Sequence, residues 1–125
     1  MNQYILMLHS DPEVFSREYL SPQRIQEIYN KYRAWRDRMA SEGKLAGGNK
    51  LEDGTGRVMR AEDGSGKVHI TDGPYAESKE VIGGFFVIKA ESYEEAVKIA
   101  SDCPHLEYGT IEIRRIEVTS VAAPA

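Results

Sequence analysis

The sequence predicts an α+β fold: a ferredoxin-like βαββαβ sandwich with an inserted β-hairpin, two helices covering one face of an antiparallel sheet. Three observations lead there. Apolar, β-rich runs stand at 4–8, 81–90 and 110–118. Two stretches with helical spacing alternate with them. Glycine-rich turns at 53–56 and 63–66 flank short alternating segments in the middle of the chain.

Each element has its own warrant. Tyr4, Ile5, Leu6, Met7 and Leu8 form the continuous apolar run of a central strand, and Ser10-Asp11-Pro12 ends it. Ser21 can cap a helix and Pro22 suits its first turn. Ile25, Ile28, Tyr32, Trp35 and Met39 follow at three- and four-residue steps. That spacing predicts one apolar stripe on a helix reaching about Glu42, stopped by Gly43. A second strand is expected over 45–51, where Gly47-Gly48 signals a bulge or a close backbone approach. Residues 57–60 and 67–70 alternate around the turn at 63–66, the pattern of a hairpin with one wet face. Residues 81–90, β-branched and aromatic, are the strongest strand. Ser92, with Glu95 three residues on, is a capping box. It opens a helix carrying Ala96, Val97, Ile99 and Ala100, which ends before Cys103-Pro104. The last strand spans 110–118, with Ile111, Ile113 and Arg115 on one face. Together these make one domain, residues 1–118, with a frayed tail over 119–125.

Composition narrows the function. A net charge of -4 argues against nucleic acid as the main partner, because such proteins need surplus Lys and Arg to replace counterions. Lys31, Arg33, Arg36 and Arg38 come nearest to a basic patch, and on a helical pattern they read as its solvated face. Cys103 is the only cysteine, so no internal disulfide forms and a reducing, cytoplasmic setting is expected. The first residues lack a basic n-region, and no run has the length of a membrane span. His9, His69, His105 and Asp72 have no metal-ligand spacing, and neither glycine turn is followed by a helix that could hold phosphate. No metal and no cofactor are expected. Helices on one sheet face leave Ile, Val and Phe on the other in need of cover. A second copy supplies it most economically, giving a symmetric homodimer with a pocket lined by both subunits.

The most informative stretch is Thr71-Asp72-Gly73-Pro74-Tyr75-Ala76-Glu77-Ser78-Lys79-Glu80, running into Val81-Ile82-Gly83-Gly84-Phe85-Phe86. It joins a sharp turn, a cluster of charges and a strand whose double glycine admits something close to its backbone. The stretch resembles the DGPF motif of the YCII-related (DGPF domain) family, with Tyr75 where that family usually has Phe. Cys103-Pro104-His105-Leu106 and Gly109-Thr110-Ile111-Glu112-Ile113-Arg114-Arg115-Ile116 also resemble it, although Pro usually stands where Arg115 does. The resemblance spans nearly the whole chain. It implies a dimeric α/β-barrel-like fold and kinship with small ring-processing enzymes such as muconolactone isomerases. One such relative removes chloride from a chlorinated hydroxyquinol, and a His-Asp catalytic dyad belongs to the wider superfamily. Other members accompany extracytoplasmic-function sigma factors.

The candidate catalytic residues are therefore His105 and Asp72, and the candidate substrate-binding residues are Lys79, Glu80, Arg114, His9 and Tyr75. Asp72 is either a turn former or a carboxylate kept ionised by Lys79. Lys79 and Glu80 either serve a site or make a surface ion pair. His105 either titrates at a pocket or caps a helix end. His9, at a strand end, faces a cleft or nothing, and His69 is solvated. Glu112 and Arg114 share a strand face as an ion pair or an anion clamp. Cys103 reads as packing. The expected activity is cofactor-independent acid-base chemistry (an isomerase, lyase or dehydrohalogenase) on a small polar or aromatic acid, in a pocket between sheet and hairpin. The alternative is a non-catalytic ligand-binding or regulatory module attached to a sigma factor.

Overall fold

Alternate residues of the first strand decide how the molecule is layered. In the computed structural model, which describes residues 1–14, 20–73 and 80–119, β1 (Asn2–Ser10) buries Tyr4, Leu6, Leu8 and Ser10 on one side. Its antiparallel neighbour β5 (Val81–Ala90) does the same with Gly84, Phe86, Ile88 and Ala90. The register sets Tyr4 opposite Ile88 and Leu6 opposite Phe86, so the two sets form one apolar surface. With β2 (Leu45–Lys50) and β6 (Thr110–Arg115) the sheet has the order β2-β5-β1-β6, antiparallel throughout. That is the ferredoxin-like arrangement the sequence predicts.

Both helices lie on the buried face. α1 (Pro22–Ser41) contributes Trp35 and Met39 to the core, and α2 (Tyr93–Ala100) contributes Ala96, Ile99 and Ala100. The Trp35 and Phe86 rings meet at 5.0 Å between centroids, tying α1 to the middle of the sheet. Ser21 Oγ accepts the Arg24 amide at 3.1 Å at the start of α1. At its end Gly43 takes φ 72°, its amide bonds the Ala40 carbonyl, and the Lys44 amide bonds that of Met39. This is the left-handed closure that glycine permits.

The paired glycines of β2 do both things expected of them. The register slips between Leu45 and Gly47, and a Cβ on Gly48 would lie 2.7 Å from the Phe85 carbonyl oxygen. On the partner strand a Cβ on Gly84 would sit 3.0 Å from the Asn49 carbonyl oxygen. What approaches the double glycine of β5 is therefore β2, and its role there is strand packing.

The hairpin of β3 (Arg57–Ala61) and β4 (Val68–Asp72) stands as a separate two-stranded sheet. It departs from the expected pattern of one wet face. Val58 is half-buried and the other residues of both strands are exposed, so the Met59, Val68 and Ile70 side, at 64%, 51% and 57% exposure, is uncovered. A lone ribbon has nothing against which to bury an apolar face. Asp72 ends β4, paired with Arg57, and the turn expected to follow it lies beyond Gly73 outside the described residues. β6 stops at Arg115, short of 118. The tail expected over 119–125 lies, apart from Thr119, outside the described residues. Among the described residues no helix is long and apolar enough to cross a membrane.

Candidate functional site

A second stripe on α1 positions the site. Tyr29, Tyr32, Arg33 and Arg36 fall at steps of three, one and three, so they share a side of the helix next to the core stripe. They form one wall of a cavity of about 540 Å³. Facing them are Leu8 and Ser10 at the end of β1, Gly48 to Lys50 of β2, residues 51–55, Val81 to Phe86 of β5, and His105. A bulge where β1 passes from Leu8 to His9 shifts the register against β5 at this rim. Helix α1, and not the hairpin, closes the cavity: among the described residues none of the β3 or β4 strand residues line it.

His105 sits at the base, 2% exposed, on the 3₁₀ turn Pro104–Glu107. Its Nε2 lies 2.8 Å from the His9 carbonyl oxygen, which can only accept, so Nε2 carries the proton and donates. Nδ1 is thereby left as an acceptor, and the Tyr32 hydroxyl donates to it at 2.8 Å. Gly109 makes this possible. A Cβ there would be 2.0 Å from the His9 oxygen and 2.9 Å from Nε2. Burial lowers the His105 pKa below its ordinary 6.5, outweighing the His9 carbonyl and Glu80, which act the other way. The ring is neutral at pH 7. Burial likewise pushes the Tyr32 hydroxyl up, so it remains a phenol, and pushes the Cys103 thiol up to about 11, which agrees with packing for that residue.

The other sequence-predicted residues fall elsewhere. Asp72 does not line the cavity: its side chain is 92% exposed, 3.5 Å from the Arg57 guanidinium. Tyr75 and Lys79 lie outside the described residues. His9, Glu80 and Arg114 collect around the opposite, open face of the sheet. There His9 Nε2 meets Glu112 Oε1 at 2.9 Å, and Glu80 accepts from the Thr110 hydroxyl at 3.2 Å. Glu112 thus pairs with His9, and Arg114 has no ion pair among the described residues. His69 lies 4.0 Å from Glu62 on the exposed hairpin, as a solvated residue does.

Three residues that line the cavity carry no site role in the sequence reading. Tyr32 reads as core, and Arg33 and Arg36 as solvated face. The available signal is their spacing with Tyr29, a polar-aromatic stripe flanking the apolar one.

Comparison with known proteins agrees with this architecture. Residues 2–120 match the family model of the YCII-related domain. A search of curated proteins finds no match. Among solved structures, the chain is similar to 5-chloro-2-hydroxyhydroquinone dehydrochlorinase from Burkholderia phenoliruptrix, in complex with 2,5-dihydroxybenzoquinone. The TM-score is 0.52 at 14% identity, over 95% of this chain and 97% of that one. At that identity the likeness shows a shared fold along the full length of both chains.

Proposed function

The chain belongs to the YCII-related family, and from that premise we propose a cofactor-independent acid-base enzyme acting on a small polar or aromatic acid. One observation carries the reading. A neutral Tyr32–His105 pair stands at the base of a cavity large enough for a single ring. Because His105 is buried and Tyr32 half-buried, the phenol is the more open member and meets the substrate. Its proton points at Nδ1, and a phenolic oxygen carries lone pairs that can accept. When substrate gives its proton to Tyr32 Oη, the phenolic proton passes to His105 Nδ1. The imidazolium so formed is held by the His9 carbonyl at Nε2 and favoured by the charge of Glu80. Return of the proton to another atom of the substrate gives isomerisation; loss of a leaving group gives elimination. The related fold that holds 2,5-dihydroxybenzoquinone supports a ring-shaped ligand.

The test is turnover of small ring acids and lactones by the wild type and two variants. Tyr32→Phe and His105→Gln should each lower kcat by about 10²-fold or more, with the circular dichroism spectrum unchanged. Full turnover in both variants would overturn the assignment.

The assembly belongs to the same proposal: a cytoplasmic homodimer whose subunits cover each other's open sheet face, where Ile5, Met7, Phe85 and Val87 are half-buried. The uncovered Met59, Val68 and Ile70 face favours, as a second reading, a regulatory module docked on a sigma factor. Co-purification lost in Ile70→Lys would support that reading. Its weakness is that it gives the Tyr32–His105 cavity no task.

A further inference from the structure

The cations of α1 divide into two groups. Those turned from the cavity are paired: Arg24 with Glu27, Lys31 with Glu107, and Arg38 with Glu42 and Asp102. The two that line it, Arg33 and Arg36, have no ion pair among the described residues, although Asp37 is a near neighbour in sequence. The third cation of the lining is already engaged, since Lys50 Nζ bonds Asp53 at 3.0 Å and the Leu51 carbonyl at 2.8 Å. Of the facing carboxylates, Asp53 is held by that lysine and Asp11 accepts the Glu13 amide, which leaves Glu52. Among the described residues the helix wall therefore presents two guanidiniums without an ion pair, a geometry suited to a planar, two-oxygen anion.

Their position sets the shape of the ligand. Tyr32 and Arg36 are four residues apart, about 6 Å along the helix axis. That is close to the span of one benzene ring carrying a hydroxyl and a carboxylate at opposite ends. Between them the cavity offers Leu8 and Phe86 with the small Gly83-Gly84 backbone, a floor suited to an aromatic ring. Resting on the reading of Tyr32–His105 as the reactive pair, we propose that the substrate is a hydroxylated aromatic carboxylic acid. Arg33 and Arg36 bind its carboxylate, and Tyr32 meets its ring hydroxyl.

Calorimetric titration with 4-hydroxybenzoate and its neutral analogue 4-hydroxybenzamide tests this. The wild type should bind the acid at least tenfold more tightly than the amide. The double variant Arg33→Gln/Arg36→Gln should lose that preference while binding the amide as before. Both arginines are exposed, and unchanged thermal melting checks the fold. Equal affinity of the wild type for acid and amide, failure to bind the acid, or a preference that survives the double substitution would each overturn the proposal. Tyr32→Phe separates the two ideas. It should weaken 4-hydroxybenzoate but keep the preference for acid over amide. Were Tyr32→Phe to bind 4-hydroxybenzoate as the wild type does, with the arginine effect intact, the carboxylate site would stand. The role of Tyr32 as the proton carrier would then fall.

Discussion

His105 has one of its nitrogens fixed by a backbone carbonyl and the other by a phenol, and Gly109 is the residue that allows it. A methyl group at 109 would overlap the His9 oxygen. Gly109→Ala should therefore destabilise the protein by about 1–3 kcal/mol in urea unfolding, the usual range for overpacking. It should also move the His105 resonances, because the strand end carrying the acceptor must shift. Loss of stability with unchanged His105 resonances would mean that the clash is relieved elsewhere. Protonation gives a second handle. Nδ1 can accept only while the ring is neutral, and the folded-state pKa lies below 6.5. If the pair is catalytic, kcat/KM should be flat at neutral pH and fall on an acid limb below 6.5, since this parameter reports the free enzyme. An acid limb above 6.5 would point to a different group.

At the scale of elements, the chain is legible wherever local chemistry decides. Ser21, Pro22 and Gly43 mark the ends of α1 because caps depend on side chains within a few residues of the helix terminus. Ser92 is the same case. Its Oγ accepts the Glu95 amide at 3.2 Å, and the Glu95 carboxylate returns to the Glu91 amide, one residue outside the box the sequence suggests. α2 has eight residues, so its first turn is a large part of it. Ser92→Ala should cost about 1 kcal/mol by thermal or urea unfolding; a cost near zero would show that packing of Ala96 and Ile99 alone holds the helix. Legibility ends where distant segments decide. Asp72 has the vocabulary of a turn, and its pairing with Arg57 places it at the end of β4, outside the lining of the cavity that holds His105. Arg33 and Arg36 look like any solvated helix face until β1, β2 and β5 are set opposite them. Tyr32 fits the apolar stripe by spacing, and its hydroxyl becomes informative only when His105, 73 positions on, arrives beside it. The site is assembled by long-range contacts, so sequence patterns name its fold more readily than its members.

For the whole molecule, two opposing requirements meet on the sheet. The helix face buries Leu6, Ile88 and the ring of Tyr4, and needs no further cover. Protonation acts on that core from its edge. His105 has a lowered folded-state pKa, so the unfolded chain takes up its proton first. Stability from this group is complete above 6.5 and declines as pH falls through the lower folded value. Asp102, held below 3.8 chiefly by its hydrogen bond from the Trp35 indole, adds a second decline at more acid pH. Melting temperature should therefore drop below pH 6.5 in the wild type and lose this part of its slope in His105→Gln. The other face bears on assembly. Ile5 and Val87 are paired at its centre, flanked by Met7 opposite Phe85. A second copy turned face to face would remove these side chains from water at roughly 25 cal/mol per Å² of apolar area. It would also enclose His9 and Glu112. Sedimentation at micromolar concentration should give a dimer. Ile5→Lys should give a folded monomer, because lysine at that position can remain solvated only if the face is open. Ile70→Lys, on the exposed hairpin, should leave the dimer intact. A monomeric wild type would sink the dimer outright. A dimer that survives Ile5→Lys and dissociates in Ile70→Lys would move the interface to the hairpin, where Met59, Val68 and Ile70 form the alternative apolar surface.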